Sequence, residues 1–270
     1  MIVYKSPEEL ERMRVAGRVV ARTIERLVEA VRPGMTTADL DTIGERSIRD
    51  EGCVPSFLGY RGFPASICTS VNQEVVHGIP SRKRVLKPGD LLSLDVGAIW
   101  EGYHGDAAVS LFVGGSAPSP EAETLVEVTE RSLDAGIGAL RPRGRLSDVG
   151  HAVEQVVDAA GFSVVREYVG HGVGRALHED PQIPNYGEAG RGPAAKPGLV
   201  VAIEPMVNAG GWRTKVLKDD WTVVTLDGSL SAHFEHTLAV TSEGIEVLTA
   251  HGYRFSKAPA GDGGKAGARA

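Results

Sequence analysis

Only two cysteines, Cys53 and Cys68, occur in the 270 residues. Neither a disulfide framework nor a thiolate zinc cluster is therefore available, and a reducing cytoplasm fits best. Long apolar runs are also missing: no window reaches the ~20 apolar residues of a membrane-spanning helix, and MIVYKSPEELERM at the start has no stretch of secretory-signal length. Clustered positive charge is absent except for Arg82-Lys83-Arg84, read as a solvated loop, and the net charge is −6. Holding nucleic acid draws on many Lys and Arg side chains, so direct nucleic-acid binding is not expected. What is left is ordinary for a soluble globular protein, with 42% hydrophobic and 24% charged residues. The end differs, being Gly, Ala and Lys without periodicity, and 254–270 is read as a disordered tail.

A repeat organises the rest. Arg32-Pro33, Asp39, Gly52, Lys87-Pro88-Gly89 and Asp95 recur as Arg141-Pro142, Asp148, Gly161, Lys196-Pro197-Gly198 and Glu204, each displaced by 109 residues. The displacement implies two related halves, about 5–115 and 118–250, sharing one core in a single domain over 1–253. Ser6-Pro7-Glu8-Glu9 supplies an N-cap, a proline at the first helical position and a capping-box glutamate. Leu10, Met13, Gly17, Val20, Ile24, Leu27 and Val31 then follow at three- and four-residue steps, an amphipathic helix ended by Pro33-Gly34. A second helix is predicted over 37–51. In the second half Ser119-Pro120 opens a helix to about 140 and Ser147 another to about 160, each of the shorter helices stopped by a glycine. Strands are predicted over 91–98, 107–113, 199–203, 222–226 and 232–241, with Glu101-Gly102 and Asp227-Gly228 as hairpin turns. Hairpins mean antiparallel pairing, so a parallel dinucleotide-binding sheet is disfavoured and an α+β class of two helix-helix-strand halves is expected.

The chemistry starts in the first hairpin. With Glu101-Gly102 at its centre, Asp95 faces Ala108, and Asp106 lies on the same face one diagonal step away. Diagonal partners have Cβ atoms up to ~7–8 Å apart, a span one or two cations can fill. Either acid alone reads as a turn cap or a solvated edge residue. Glu204 ends the apolar strand VVAIEPM in the repeat-equivalent place of Asp95, and Glu235 sits on an alternating strand between His233 and His236. Four strand-borne acids in apolar surroundings, with no Lys or Arg beside them in sequence, need positive charge, and a metal pair supplies it. His171, between glycines in GHGVGRALHEDP, can approach such a site closely. One imidazole with several carboxylates suits Mn(II), Fe(II) or Co(II) and does not exclude zinc.

SLDVG around Asp95, GYHGDAA around Asp106, GHGVGRALHEDP around His171 and His178, AIEPM around Glu204 and FEHT around Glu235 together resemble the type I methionine aminopeptidases. The match runs from Ile2 to about Tyr253. The resemblance implies the pita-bread fold, two related α/β halves around a curved antiparallel sheet, and two divalent metal ions (Co, Mn, Fe(II), Zn or Ni). It places Asp95 as a chelating ligand of one metal, Asp106 and Glu235 as bridges, and His171 and Glu204 on the other metal. A water between the metals would attack the scissile carbonyl, with Glu204 moving protons. His178 would hydrogen-bond the substrate carbonyl and His77 would contact the scissile amide. Tyr60, Phe63, Cys68, Leu177 and Trp221 would form the methionine pocket. Two positions depart from the commonest bacterial pattern: Phe57 stands where Cys is frequent, and Leu177 where Phe is frequent. The implied enzyme is a cytoplasmic monomer that removes the initiator methionine from nascent polypeptides near the ribosome exit tunnel, preferring a small second residue. A prolidase or aminopeptidase P would share the five ligands, and a non-catalytic relative that binds peptides or the ribosome would share the fold.

Overall fold

A computed structural model describes residues 1–255. Helices α1 (Pro7–Ala30) and α2 (Thr37–Asp50) of the first half are answered by α3 (Pro120–Ala139) and α4 (Ser147–Ala159) in the second. Ser6 Oγ accepts the Glu9 N–H while the Glu9 carboxylate accepts the Ser6 N–H, and Thr36 with Asp39 builds the same reciprocal cap before α2. Helix α4 starts at Ser147, as expected. Ser147 is its first helical residue and does not cap it, because its hydroxyl is engaged by Arg191, accepting that residue's N–H and donating to its carbonyl. The Asp148 carboxylate instead takes the Arg145 N–H. The repeat also shows in two isolated bridges, Thr36 with Val85 and Arg145 with Ala194, displaced by the same 109 residues.

One sheet of nine strands passes through both halves, and its pairings are antiparallel. Its central members are β1 (Ile67–Val71), β2 (Leu91–Trp100), β3 (Tyr103–Phe112), β4 (Gly170–Gly172), β5 (Val200–Ile203) and β6 (Glu235–Val240). Neighbours across the sheet run β1-β2-β3-β6-β5-β4, so a late strand of the second half docks on the first half. Glu101 and Gly102 both take positive φ (47° and 80°), the conformation of the tightest hairpin turn. That turn fixes the register: Asp95 lies opposite Ala108 and Asp106 opposite Gly97. Alternation then sorts the faces. Leu92, Leu94, Val96 and Ala98 join the core, as do Ala107, Val109 and Leu111, while Asp95 and Asp106 project from the other face. Helix α1 packs on β2 and β3. Gly105 permits the approach, since a Cβ there would lie 2.9 Å from the Gly17 nitrogen.

Three expectations are corrected. Asp227-Gly228 turns the chain without joining paired strands: Val223–Thr225 pairs with Thr214–Val216 and Glu74–Val76, and Ser231–His233 with Met206–Asn208. The Asp227 carboxylate accepts the N–H groups of Gly211 and Ser229, which ties the turn to the preceding loop. The strand expected over 232–241 breaks at Phe234. Pro205 has no N–H for a ladder, so β5 ends before it, and both chains change sheets together at this corner. Finally, Arg254 and Phe255 belong to the fold and not to a tail. Arg254 pairs with Asp134, the Phe255 N–H bonds Glu130, and the Phe255 ring meets Phe112 at 5.7 Å between centroids. The rest of the predicted tail, 256–270, lies outside the described residues.

Candidate active site

Every residue singled out in the sequence for ligation, catalysis or substrate contact lines one cavity of about 160 Å³. The hairpin β2–β3 delivers Asp95 and Asp106. A register shift between His171 and Gly172 turns the imidazole of β4 inward. Glu204 stands at the corner between β5 and Pro205, and Glu235 opens β6. Donor atoms of Asp106, His171 and Glu235, all buried, lie within 4.8 Å of one another. Nε2 of His171 is 3.4 Å from Oε1 of Glu204.

Supporting contacts hold this geometry. Thr237 Oγ1 accepts the Asp106 N–H at 3.0 Å and donates to the Asp106 carbonyl at 2.7 Å. Asn185 donates to the Glu204 carbonyl at 3.0 Å. Beside the acids is an apolar wall of Phe57, Phe63, Cys68 and Leu177, flanked by Tyr60 and Trp221. His178 is at the rim, its Nδ1 2.8 Å from the Tyr60 hydroxyl and its ring 4.2 Å from that of His171. His77 takes φ 60°, unusual for a side chain with Cβ, and its ring meets those of Tyr168 and Trp221 edge-on at 5.9 and 6.0 Å.

Residues 11–242 match metallopeptidase family M24. The chain belongs to that family. Among its relatives, methionine aminopeptidase 1 of Bacillus subtilis is 55% identical over 92% of this chain and 99% of its own length. Methionine aminopeptidase of Escherichia coli K12 is 44% identical over 92% and 94%. The crystal structure of methionine aminopeptidase from Thermotoga maritima superposes with a TM-score of 0.90 at 46% identity, covering 92% of this chain and 99% of that one. Prolidase from Pyrococcus furiosus shares the fold, with a TM-score of 0.72 at 20% identity, and this chain covers 65% of it.

The electrostatics of this M24 site are those of a cation cradle. Burial raises the pKa of all four carboxyls, and mutual repulsion adds to the rise at Asp106, Glu204 and Glu235. Buried oxygens of Asp95, Asp106 and Glu235 have no hydrogen-bond partner among the described residues. The only Lys or Arg in the lining is Arg61, exposed at the rim. His171 is held neutral by burial, and its Nδ1, 2.9 Å from the Gly172 carbonyl, carries the proton. Nε2 is thereby left with its lone pair toward the acids, as a metal-ligating imidazole requires. Clustered buried carboxylates with unfilled oxygens and an unpartnered imidazole nitrogen fit a site for divalent cations.

Four lining residues were not singled out as site residues: Phe57, Arg61, Val76 and His233. His233 is the notable one. It is 2% exposed, and its unpartnered Nε2 lies 3.9 Å from Oε2 of Glu204 and of Glu235. The available signal was its spacing, two residues before Glu235 and thus on the same side of an extended chain. Phe57 and Leu177, the departures from the common pattern, both sit in the apolar wall, where each contributes hydrocarbon rather than a polar group.

Proposed function

We propose that this M24 peptidase removes methionine from the N-termini of new polypeptides, in a metal-dependent reaction that favours a small second residue. The observation that carries the reading is the meeting of two chemistries in one cavity, a cluster of acids with an imidazole and, beside it, an aromatic and thiol-lined wall. Phe63 and Trp221 meet edge to face at 5.1 Å. Aromatic rings around a thioether gain roughly 0.3–1.5 kcal/mol per contact, so this wall suits a methionine side chain.

Asp95, Asp106, His171, Glu204 and Glu235 would hold two divalent cations drawn from Co, Mn, Fe(II), Zn and Ni. Bound there, the cations supply positive charge that polarises the scissile carbonyl and makes a water nucleophilic near neutral pH. Glu204, at its corner, accepts the proton of that water and returns it to the departing amine. The Tyr60 hydroxyl and Nδ1 of His178 share a hydrogen bond at 2.8 Å; in the tautomer in which Tyr60 is the donor, Nε2 carries the proton and donates a hydrogen bond to the substrate carbonyl as charge develops. Burial keeps His178 neutral and pushes His77 down to about 4, so both imidazoles act as hydrogen-bonding groups and not as cations. His77 contacts the amide of the scissile bond. Such an enzyme would work as a cytoplasmic monomer on chains leaving the ribosome, where these N-termini are produced. Among the described residues no helix is long and apolar enough to cross a membrane.

The test is hydrolysis of Met-Ala-Ser beside Ala-Pro-Ala by metal-stripped protein with and without Co(II) or Mn(II). Metal-dependent release of methionine alone is expected. Cleavage before proline would move the chain to the prolidase branch, and no cleavage with any metal would favour a binding protein.

A further inference from the structure

Behind the loop that carries His178 lies an ion pair that no step of the proposed reaction uses. Lys5 precedes α1, and its side chain is only 3% exposed. Its Nζ stands 2.6 Å from Oε2 of Glu179, whose side chain is 13% exposed. The same ammonium donates to the Val3 carbonyl at 3.2 Å. The other oxygen of Glu179, Oε1, accepts the Ala176 N–H at 3.2 Å. This carboxylate thus closes the turn 176–179, whose two central residues are Leu177 and His178. Lys5 is itself anchored, since its N–H donates to the Gly198 carbonyl at 2.7 Å, in the turn that leads into β5 and Glu204. Room for the pair comes from Gly174: a Cβ there would stand 2.4 Å from Oε1 of Glu179 and 2.6 Å from Cε of Lys5.

Stability alone does not account for this arrangement. Removing two charges from water costs several kcal/mol each, and apolar replacements of buried pairs are often neutral or stabilising. Position is what the pair supplies. The His178 ring is fixed in front by Tyr60, while its backbone is set by the turn that Glu179 closes. A displacement of about 1 Å in a group that must meet developing charge can cost about 10²-fold in rate.

We propose that Lys5 is a positioning residue: through Glu179 it fixes the turn 176–179 and so holds His178 against the cavity, which makes the segment before α1 part of the active site. The kinetic part of this claim rests on the aminopeptidase reading; the structural part does not.

The test uses metal-loaded Lys5→Met, Lys5→Arg, Lys5→Ala and the double variant Lys5→Met/Glu179→Gln, in which neither charge is left buried alone. In Lys5→Met, kcat for Met-Ala-Ser falls about tenfold or more, which is about 1.4 kcal/mol or more in the barrier. KM stays within about threefold and bound metal per chain is unchanged, the pattern of an interaction felt mainly in the transition state. Lys5→Arg restores most of kcat. In Lys5→Ala, n-propylammonium raises kcat, and tetramethylammonium at equal concentration does not. Independently of turnover, the His178 ring signals in nitrogen-15 NMR, assigned by their loss in His178→Ala, shift in Lys5→Met. A folded, metal-loaded Lys5→Met with wild-type kcat, or with unmoved His178 signals, overturns the proposal, and so does a fall in kcat matched by loss of metal. If Lys5→Met does not fold, the double variant is judged by the same criteria. If the wild-type protein releases no methionine, the aminopeptidase reading fails, and the NMR comparison still decides the positioning claim.

Discussion

Nε2 of His171 stands 3.4 Å from Oε1 of Glu204, and because Nδ1 is committed to the Gly172 carbonyl, a lone pair of the ring faces a carboxylate oxygen. Two acceptors at that distance repel unless a proton or a cation lies between them. The same contact becomes attractive once a divalent ion is shared, and the energetics of the site turn on that difference.

Metal removal should therefore change how stability depends on pH. Asp95, Asp106, Glu204 and Glu235 have folded-state pKa values raised by burial. An acid raised above its unfolded value of about 4 binds its proton more tightly in the fold, so stability falls as pH rises from about 4 through the raised values. Buried His77, His171, His178 and His233 act with the opposite sign, because their lowered pKa values favour the fold as pH rises. The readout is therefore the effect of metal at each pH, and Mn(II) should raise the midpoint more at about pH 8, where the acids are ionised, than at about pH 5. An equal rise with Mn(II) at both pH values would contradict this account.

His171 and His178 lie ring against ring, yet their substitution should separate. His171→Ala should lose bound metal, measured by elemental analysis after dialysis. His178→Ala should keep its metal while kcat drops about 10²–10³-fold, the usual cost of one oxyanion donor. Since burial lowers its pKa, wild-type kcat should show no titration of His178 between about pH 6 and 8. Metal loss in His178→Ala would assign that residue to the coordination shell instead.

Thr237 takes the place of a ladder bond where β6 parts from β3. Thr237→Val keeps the shape but leaves the N–H and carbonyl of Asp106 without the hydroxyl that now serves both. A loss of about 1–3 kcal/mol in stability is expected from denaturant titration, the cost of buried groups left unpaired. Metal affinity should weaken with it, because the backbone that aims Asp106 is freed. Unchanged stability with unchanged affinity would show that the hydroxyl is dispensable.

Gly17→Ala tests the contact between α1 and the sheet. A Cβ at this position would lie 2.3 Å from the Leu248 carbonyl oxygen, so the helix must shift, and about 1–3 kcal/mol of stability should be lost despite the better helix propensity of alanine. The thermal midpoint is the measurement, and a rise in it would be incompatible with the packing described.

How much was legible in the sequence depended on whether local chemistry fixed the answer. Glu101-Gly102 dictates a two-residue turn, and counting back from it placed Asp95 opposite Ala108, as the structure has it. Ser6 and Glu9 announced the first helix, because a reciprocal cap is a four-residue property. Gly170–Gly172 gave no strand signal, being too short for a period to show. The break at Phe234 was hidden as well. Apolar and polar residues keep alternating through it, and its cause, Pro205, lies on the opposing chain. The bonding of Ser147 to Arg191 gave no signal either, since its partner is a loop residue 44 positions away. Within the site the acids were legible because charge in an apolar strand demands an explanation. His233 was passed over because histidine makes no such demand.

The duplication seen in the paired bridges Thr36–Val85 and Arg145–Ala194 carries a consequence for assembly. Asp95 and Asp106 come from the first half, and His171, Glu204 and Glu235 from the second, with β6 of the second half lying between β3 and β5. Neither half alone can offer a complete set of donors, and Glu235 is among the last parts of the fold to be synthesised. A ribosome-bound fragment lacking β6 therefore has no complete cradle to close around an ion. Capture of metal would then mark a chain whose second half has been made and has docked on the first.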